Sequence, residues 1–223
     1  MSQTQLRVGV DATAWHGTRG LGRYVRCIVE HLARRSDLAL TLFSPVDLGA
    51  DAPSACTVCW DDQRGPWYTW RLPGLVRRHP VDVMFFPTNH AWWFGPAPSV
   101  LTIHDLACLH FPDRIFRSKW EAWYESRRLR WGASRATRVC TDSEATKRDV
   151  LRVLGCPGSK VSVVPPGVSD TFRDQRPAPM VEVSARYGLG DRPYVLYVGG
   201  LDFRKNIPAL LRAFHRLVGA GCH

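Results

Sequence analysis

The chain has 223 residues, 45% of them hydrophobic. That supports one large α/β domain, or one domain with part of another, and excludes global disorder. With 30 Lys and Arg against 20 Asp and Glu, the net charge is +10, which points to anionic partners such as nucleotides, phosphorylated substrates or an anionic membrane face, or else to the arginine bias of a GC-rich genome.

Strand and helix signals alternate along the chain, which predicts a doubly wound parallel sheet. Residues 6–10 form a short apolar run, a first buried strand, and residues 11–22 a loop rich in Gly and Thr. Residues 21–34 have helical spacing, with Tyr24, Ile28 and Leu32 on one face. A second strand is expected at 38–43, a helix at 67–78, and further strands at 81–86 and 99–104. A long aromatic and basic helix follows at 117–133, then a strand at 138–141. Asp142 or Ser143 caps a helix that runs to Leu154, and a strand at 160–164 ends at Pro165-Pro166-Gly167. Residues 1–168 thus read as one domain. The stretch 169–192 carries prolines, mixed charge and one weak helix at 181–187, and reads as an interdomain connection. The pattern then restarts within 193–223, with a strand at 194–198, a Gly-Gly turn and a helix at 206–218. One strand and one helix cannot bury their own faces, so this unit is expected either to open a second, truncated domain or to dock on the first sheet.

No N-terminal apolar stretch reads as a signal peptide. No apolar run approaches the roughly 18 residues of a membrane span, so a cytoplasmic chain is expected, at most peripheral at the inner face of a membrane. Of the seven cysteines only Cys56 and Cys59 form a CxxC pair, flanking a valine in an apparent strand, and no His partner stands at metal-ligand spacing. Buried, reduced thiols are expected.

Four segments have chemical potential. Thr18-Arg19-Gly20-Leu21-Gly22-Arg23-Tyr24 follows strand one; glycines at a strand-to-helix turn let backbone amides approach an anion, although a tight turn explains them as well. Thr102-Ile103-His104-Asp105 ends a strand, where ligands bind in open α/β sheets; Asp105 either orients His104 or caps the next turn. In Val198-Gly199-Gly200-Leu201-Asp202-Phe203-Arg204-Lys205-Asn206, the glycines remove side chains where a phosphate must come close. Arg204 and Lys205 suit a diphosphate and, as cations at a helix start, are poorly explained by structure alone. The helix at 117–133 sets Trp120, Trp123, Tyr124 and Trp131 beside Arg117, Lys119, Arg127, Arg128 and Arg130. Because Glu121 and Glu125 interrupt the charge, a core-facing aromatic stripe with a solvated basic face is expected, a membrane interface or anionic-acceptor site being the alternative. No Walker loop, HExxH, GxSxG, Asp-x-Asp or nucleic-acid motif is present, so neither a metal site nor a nucleic-acid partner is expected.

In this order the segments resemble the retaining glycosyltransferases of family four, with the GT-B fold. The resemblance rests on Val8-Gly9-Val10-Asp11-Ala12 with Arg19 to Tyr24, on Leu101 to Leu106 with His110-Phe111-Pro112, on Thr141 to Asp149, on Val163 to Val168, and most specifically on Tyr194 to Gly200 with Arg204-Lys205-Asn206 and Leu210 to Phe214. It implies an α/β Rossmann-like acceptor-side domain and metal-independent transfer, with retention and without a cofactor, from a GDP- or UDP-linked sugar to a glycan or lipid-linked acceptor. Mannose from GDP-mannose into a surface polysaccharide is the specific expectation. It also implies residue roles. Gly20 and Gly22 would lie near the donor diphosphate and the acceptor, and His104 would contact the transferred sugar. Arg204 and Lys205, beside Gly199 and Gly200, would hold the diphosphate, while Asp105 and Ser143 would be subsidiary contacts. Two departures stand out. Pro166 replaces the family's usual Asn, and the Glu-x7-Glu segment of the donor pocket is absent from these 223 residues. Little or no transferase activity is therefore expected of this chain alone. A non-catalytic binding remnant and a sugar-nucleotide epimerase of the same fold are the rival readings; a dehydrogenase ranks last, since the first glycine loop lacks the full dinucleotide fingerprint.

Overall fold

Strands covered on both faces need mostly apolar segments, and the chain supplies them at intervals. β1 (Leu6–Asp11), β2 (Leu38–Ser44), β3 (Thr57–Trp60), β4 (Val83–Phe86), β5 (Ser99–Ile103), β6 (Arg138–Thr141) and β7 (Val161–Val163) form the sheet of the computed structural model, which describes residues 5–168, 172, 180–190 and 194–221. Among these residues the sheet has seven strands, ordered β3-β2-β1-β4-β5-β6-β7, and all neighbours run parallel. It is the doubly wound, Rossmann-like α/β domain that the alternating pattern predicted. The chain begins mid-sheet at β1, winds outward through β2 and β3, then crosses to the other side of β1. The order reverses between β1 and β4, and there the C-terminal strand ends open a crevice.

Leu42 and Phe43 show why both faces need cover. They are consecutive and both fully buried. Leu42 packs with Val10, Val25 and Val29, whereas Phe43 packs on the opposite face with Met84, Phe86 and Leu72. Helix α1 (Gly20–Ala33) covers the first face with Gly22, Val25 and Val29. This buried stripe is turned by one residue from the expected one; Tyr24, Ile28 and Leu32 flank it half-buried. The helix expected at 67–78 divides into a wide turn, Trp67–Arg71, and α2 (Leu72–Arg78). Pro73 has no N–H to give to the turn before it, which favours that change of winding.

Two short helices, α3 (Ala107–His110) and α4 (Pro112–Ile115), lead into α5 (Lys119–Arg135). Here the expected core-facing aromatic stripe is absent. Trp120 is 70% and Trp123 50% exposed, and α5 buries Leu129, Gly132 and Ala133 instead. A Cβ on Gly132 would stand 3.1 Å from the Ala91 Cβ, so the helix packs closely on its neighbours at that point. In α6 (Glu144–Leu154) the cap is Ser143, whose Oγ accepts the Thr146 N–H at 3.2 Å. Cys56 is partly and Cys59 fully buried; both are free thiols, and burial pushes both up from the ordinary thiol range.

The chain forms two compact units, Met1–Gly167 and Val168–His223. Within the second, α7 (Met180–Tyr187) and α8 (Ile207–Gly219) are helical. Residues 169–171, 173–179 and 191–193, in and beside the expected connection, lie outside the described residues. The expected strand at 194–198 does not form. Val195, Leu196 and Val198 are 67%, 73% and 83% exposed; with no strand beside it among the described residues, this backbone has no ladder to join.

Candidate active site at the sheet crevice

His104 follows the last residue of β5, and both of its ring nitrogens are engaged. Nδ1 lies 2.7 Å from Asp142 Oδ2 and Nε2 lies 2.8 Å from the Pro87 carbonyl oxygen. Both ring nitrogens thus face oxygen atoms, one of a carboxyl group and one of a backbone carbonyl. Tyr24 of α1 packs edge-on against the imidazole, centroids 4.7 Å apart. The backbone is held as firmly. His104 N–H donates to Asn89 Oδ1 at 2.9 Å, and the His104 carbonyl accepts from Thr146 Oγ1 at 3.1 Å. The ring is thus held from the ends of β4 and β6 and from α1, and the backbone from α6. Asp142 Oδ1, the other carboxylate oxygen, is buried and makes no hydrogen bond among the described residues.

The other expected residues divide by task. Asp105 Oδ1 accepts the Ala107 N–H at 2.9 Å, so it caps α3 while Asp142 orients His104. Ser143 caps α6 and stands 3.1 Å from Thr146 Oγ1, which in turn bonds His104. A Cβ on Gly22 would fall 2.0 Å from Gly17 O, so this glycine admits the loop backbone against α1. A Cβ on Gly20 would meet nothing within 4 Å. Gly20 opens α1, whose N-cap Arg19 makes no side-chain cap bond and whose first turn has no acidic residue. Such a helix start offers N–H groups and a partial positive charge to an anion.

Beside the crevice, β1 ends in Asp11, which is 1% exposed. It accepts from Thr13 N at 3.3 Å, from Trp67 Nε1 at 3.3 Å and from Tyr68 OH at 3.0 Å, with Thr13 Oγ1 a further donor. Burial raises its carboxyl above the ordinary range and these donors work against the rise. Burial, and then Asp11, push the Tyr68 phenol well up, so it keeps its proton and donates. His90 stacks on Tyr68, centroids 5.8 Å apart, and Arg128 of α5 donates to His90 Nδ1 and pairs with Glu125. Burial, then the Arg128 charge, pull His90 down to about 4, so the imidazole is neutral and accepts.

In the second unit, Asp202 Oδ1 accepts from Arg204 N at 3.2 Å and Arg204 Nε at 3.0 Å. That capped turn, Phe203–Lys205, leads through Asn206 at φ 47° into α8. Arg204 and Lys205 therefore share one tight turn, with the Asp202 carboxyl lowered by Arg204. A Cβ on Gly199 would fall 2.5 Å from the Tyr197 hydroxyl, which donates to Gly200 O at 2.7 Å.

Sequence reasoning passed over Pro87, Asn89, His90 and Asp11 as site-forming residues and took Asp142 only as a cap. The motif Pro87-Thr88-Asn89-His90, directly after a predicted strand, was the available signal. Among the described residues no three His, Cys, Asp or Glu side chains are grouped as a metal site would need, and no helix is long and apolar enough to cross a membrane.

Comparison with known proteins gives these elements a context. The sequence pattern of Glycosyltransferase Family 4 matches residues 18–172. The O-antigen chain mannosyltransferase B of Escherichia coli is 24% identical over 220 residues, covering 89% of this chain and 56% of that protein. The GDP-mannose-dependent alpha-(1-6)-phosphatidylinositol monomannoside mannosyltransferase of Mycobacterium tuberculosis is 26% identical over 211 residues, covering 87% and 52%. The chain thus spans about half the length of the curated relatives it matches. Among solved structures, Anabaena Alr3699/HepE in complex with UDP-glucose shares the fold at a TM-score of 0.58 and 14% identity, over 84% of this chain and 51% of that one.

Proposed function

The chain belongs to Glycosyltransferase Family 4, and from that membership we propose that it serves the transfer of a hexose, mannose from GDP-mannose, to a glycan or lipid-linked acceptor, with retention and without a metal. The observation that carries the reading is the crevice between β1 and β4, where α1, which starts at Gly20, sets Tyr24 against a His104 ring fixed from three elements. The relatives that cover most of this chain are named as mannosyltransferases, one GDP-mannose-dependent and acting on a phosphatidylinositol mannoside. Both support the donor and the acceptor class.

In this reading residues 1–168 are the acceptor-side domain, 169–192 the connection and 193–223 donor-side chain. The α1 start, with Gly20, faces the donor diphosphate and the acceptor, and Gly22 keeps the loop against the helix. Arg204 and Lys205 grip the diphosphate, with Gly199 and Gly200 leaving room for it. As the glycosidic bond breaks, negative charge grows on the leaving diphosphate, and fixed cations stabilise that charge more than they stabilise the ground state. His104 contacts the transferred sugar. A contact from Nε2 requires the bond to Pro87 O to open, whereas a contact from the ring face does not. Asp105 and Ser143 act through their caps. A peripheral contact with a membrane brings a lipid-linked acceptor to the crevice.

Isothermal titration of the full-length protein with GDP-mannose, UDP-glucose and ADP-glucose tests the donor. GDP-mannose should bind most tightly, and Arg204→Ala should weaken it by roughly tenfold or more, the loss of a charge-assisted pair. Nuclear magnetic resonance of the product should show the anomeric configuration of the donor retained, with turnover unchanged by EDTA. No binding of any sugar nucleotide, or release of an epimerised free sugar without acceptor, would overturn the proposal.

A further inference from the structure

Four large aromatic side chains from three separate segments stand exposed on the first unit. Trp120 and Trp123 of α5 are 70% and 50% exposed, and Trp70 and Phe94 are 72% and 66% exposed. They form one face. The Trp120 and Trp123 rings stack with centroids 4.8 Å apart. Tyr124, next in the helix, lines a cleft of about 490 Å3 with Trp70, Arg77, Trp93 and Phe94. Trp93 lies 6.0 Å from the Tyr124 ring, and Phe94 packs edge-on against Trp131 at 5.5 Å. Exposed apolar residues are ordinary when scattered; a joined patch of this kind marks a surface that something covers.

Charge selects the occupant. Arg77, Lys119 and Arg127 stand exposed around the aromatics, and the Arg127 guanidinium lies 5.5 Å from the Trp123 ring centre. The carboxylates of the same helix are engaged locally: Glu121 accepts the Arg117 N–H just before the helix at 2.9 Å and Glu125 pairs with Arg128. The face is therefore aromatic at its centre and cationic at its rim. Indole rings settle at the headgroup level of a bilayer, and arginines beside them reach lipid phosphates while their stems lie on the apolar layer. We propose that this face, Trp70, Phe94, Trp120 and Trp123 with Arg77 and Arg127, docks the protein on an anionic lipid bilayer. The helix that carries it also carries Arg128, which bonds His90, and Asn89 next to His90 holds the His104 backbone. Docking through α5 would thus bring the bilayer beside the crevice. The inference rests on the peripheral-contact part of the function proposed above and not on sugar transfer, so vesicle binding and sugar-nucleotide binding succeed or fail separately.

Co-sedimentation with vesicles of phosphatidylcholine, with and without an equal share of phosphatidylglycerol, is the test. The protein should pellet with the anionic vesicles, and raising the salt from about 0.1 M to about 0.5 M should weaken binding by roughly tenfold. Trp120→Ala with Trp123→Ala should also weaken it by roughly tenfold or more, with the circular dichroism spectrum unchanged because neither side chain is in the core. Arg77→Glu with Arg127→Glu should weaken binding to anionic vesicles and not to neutral ones. In the unsubstituted protein, brominated lipid should quench the tryptophan fluorescence, a readout independent of how the variants fold. Absence of vesicle binding, binding unaffected by both double substitutions, or self-association that the indole substitutions abolish in place of lipid binding would overturn the proposal.

Discussion

The Asp142 carboxylate and the His104 imidazole, 38 residues apart in the chain, meet at 2.7 Å across the ends of neighbouring strands β5 and β6. With Pro87 O on the other ring nitrogen, this pair sets the plane and direction of the imidazole. Asp142→Asn keeps the shape and loses the charge, so the ring should turn less reliably toward a substrate. We expect His104→Ala to lower turnover in the full-length protein by roughly a hundredfold and Asp142→Asn by roughly tenfold, with the donor KM little changed, as orientation effects of this kind do. Steady-state kinetics on the two variants checks this; equal activity of both with the unsubstituted protein would remove His104 from the site.

Two glycines of the first loop should behave oppositely. A Cβ at Gly22 meets Gly17 O at 2.0 Å, and one at Gly20 meets nothing within 4 Å. Gly22→Ala should cost about 2–4 kcal/mol, because backbone and not a flexible side chain must give way. Gly20→Ala should stay within about 0.5 kcal/mol of the parent. Urea denaturation of both variants measures the difference. A fall in sugar-nucleotide affinity in Gly20→Ala, at unchanged stability, would mark Gly20 as a ligand contact.

The buried carboxylate of Asp11 holds Thr13, Trp67 and Tyr68 at once. Tyr68→Phe removes one donor and should cost about 1–2 kcal/mol, whereas Asp11→Ala strands several buried donors and should cost about 3 kcal/mol or more. Equal destabilisation by the two substitutions, read by denaturation, would show that Asp11 is not the hub.

His90 gives stability a pH dependence of defined sign. Its folded value is lowered from 6.5 to about 4, so between these values the unfolded chain binds the extra proton. Stability is fully present above pH 6.5 and is lost as the pH falls toward about 4. The side chain is 45% exposed, which discounts the effect to about 1 kcal/mol. His90→Asn should lose this component, so thermal midpoints of the two proteins should diverge on going from pH 7 to pH 5 and coincide in slope above pH 7.

Much of the fold was legible in the chain. Runs of mostly apolar residues at 38–43, 81–86 and 99–104 mark buried strands, because a strand covered on both faces has little room for exposed polar side chains along its length. Ser143 is readable as a cap because a hydroxyl three residues before a free N–H is a local geometry. The N-cap and the glycine loops are likewise matters of neighbours within a few residues. The segment 194–198 shows the limit of local pattern. Its residues have strand composition, yet a strand exists only with a partner to bond.

The sequence by itself determined the alternation of strands and helices, the glycine-bearing turn after β1, the family and His104 as a strand-end residue. Only the tertiary structure decided that Asp142 meets the ring of that histidine, that Pro87 and Asn89 complete its setting, and that Trp120 and Trp123 face outward. The physical reason is the order of the sheet. It sets β4, β5 and β6 side by side, so residues 15, 17 and 38 positions from His104 become its hydrogen-bond partners. It also packs α5 through Leu129, Gly132 and Ala133, the side of the helix opposite Trp120 and Trp123.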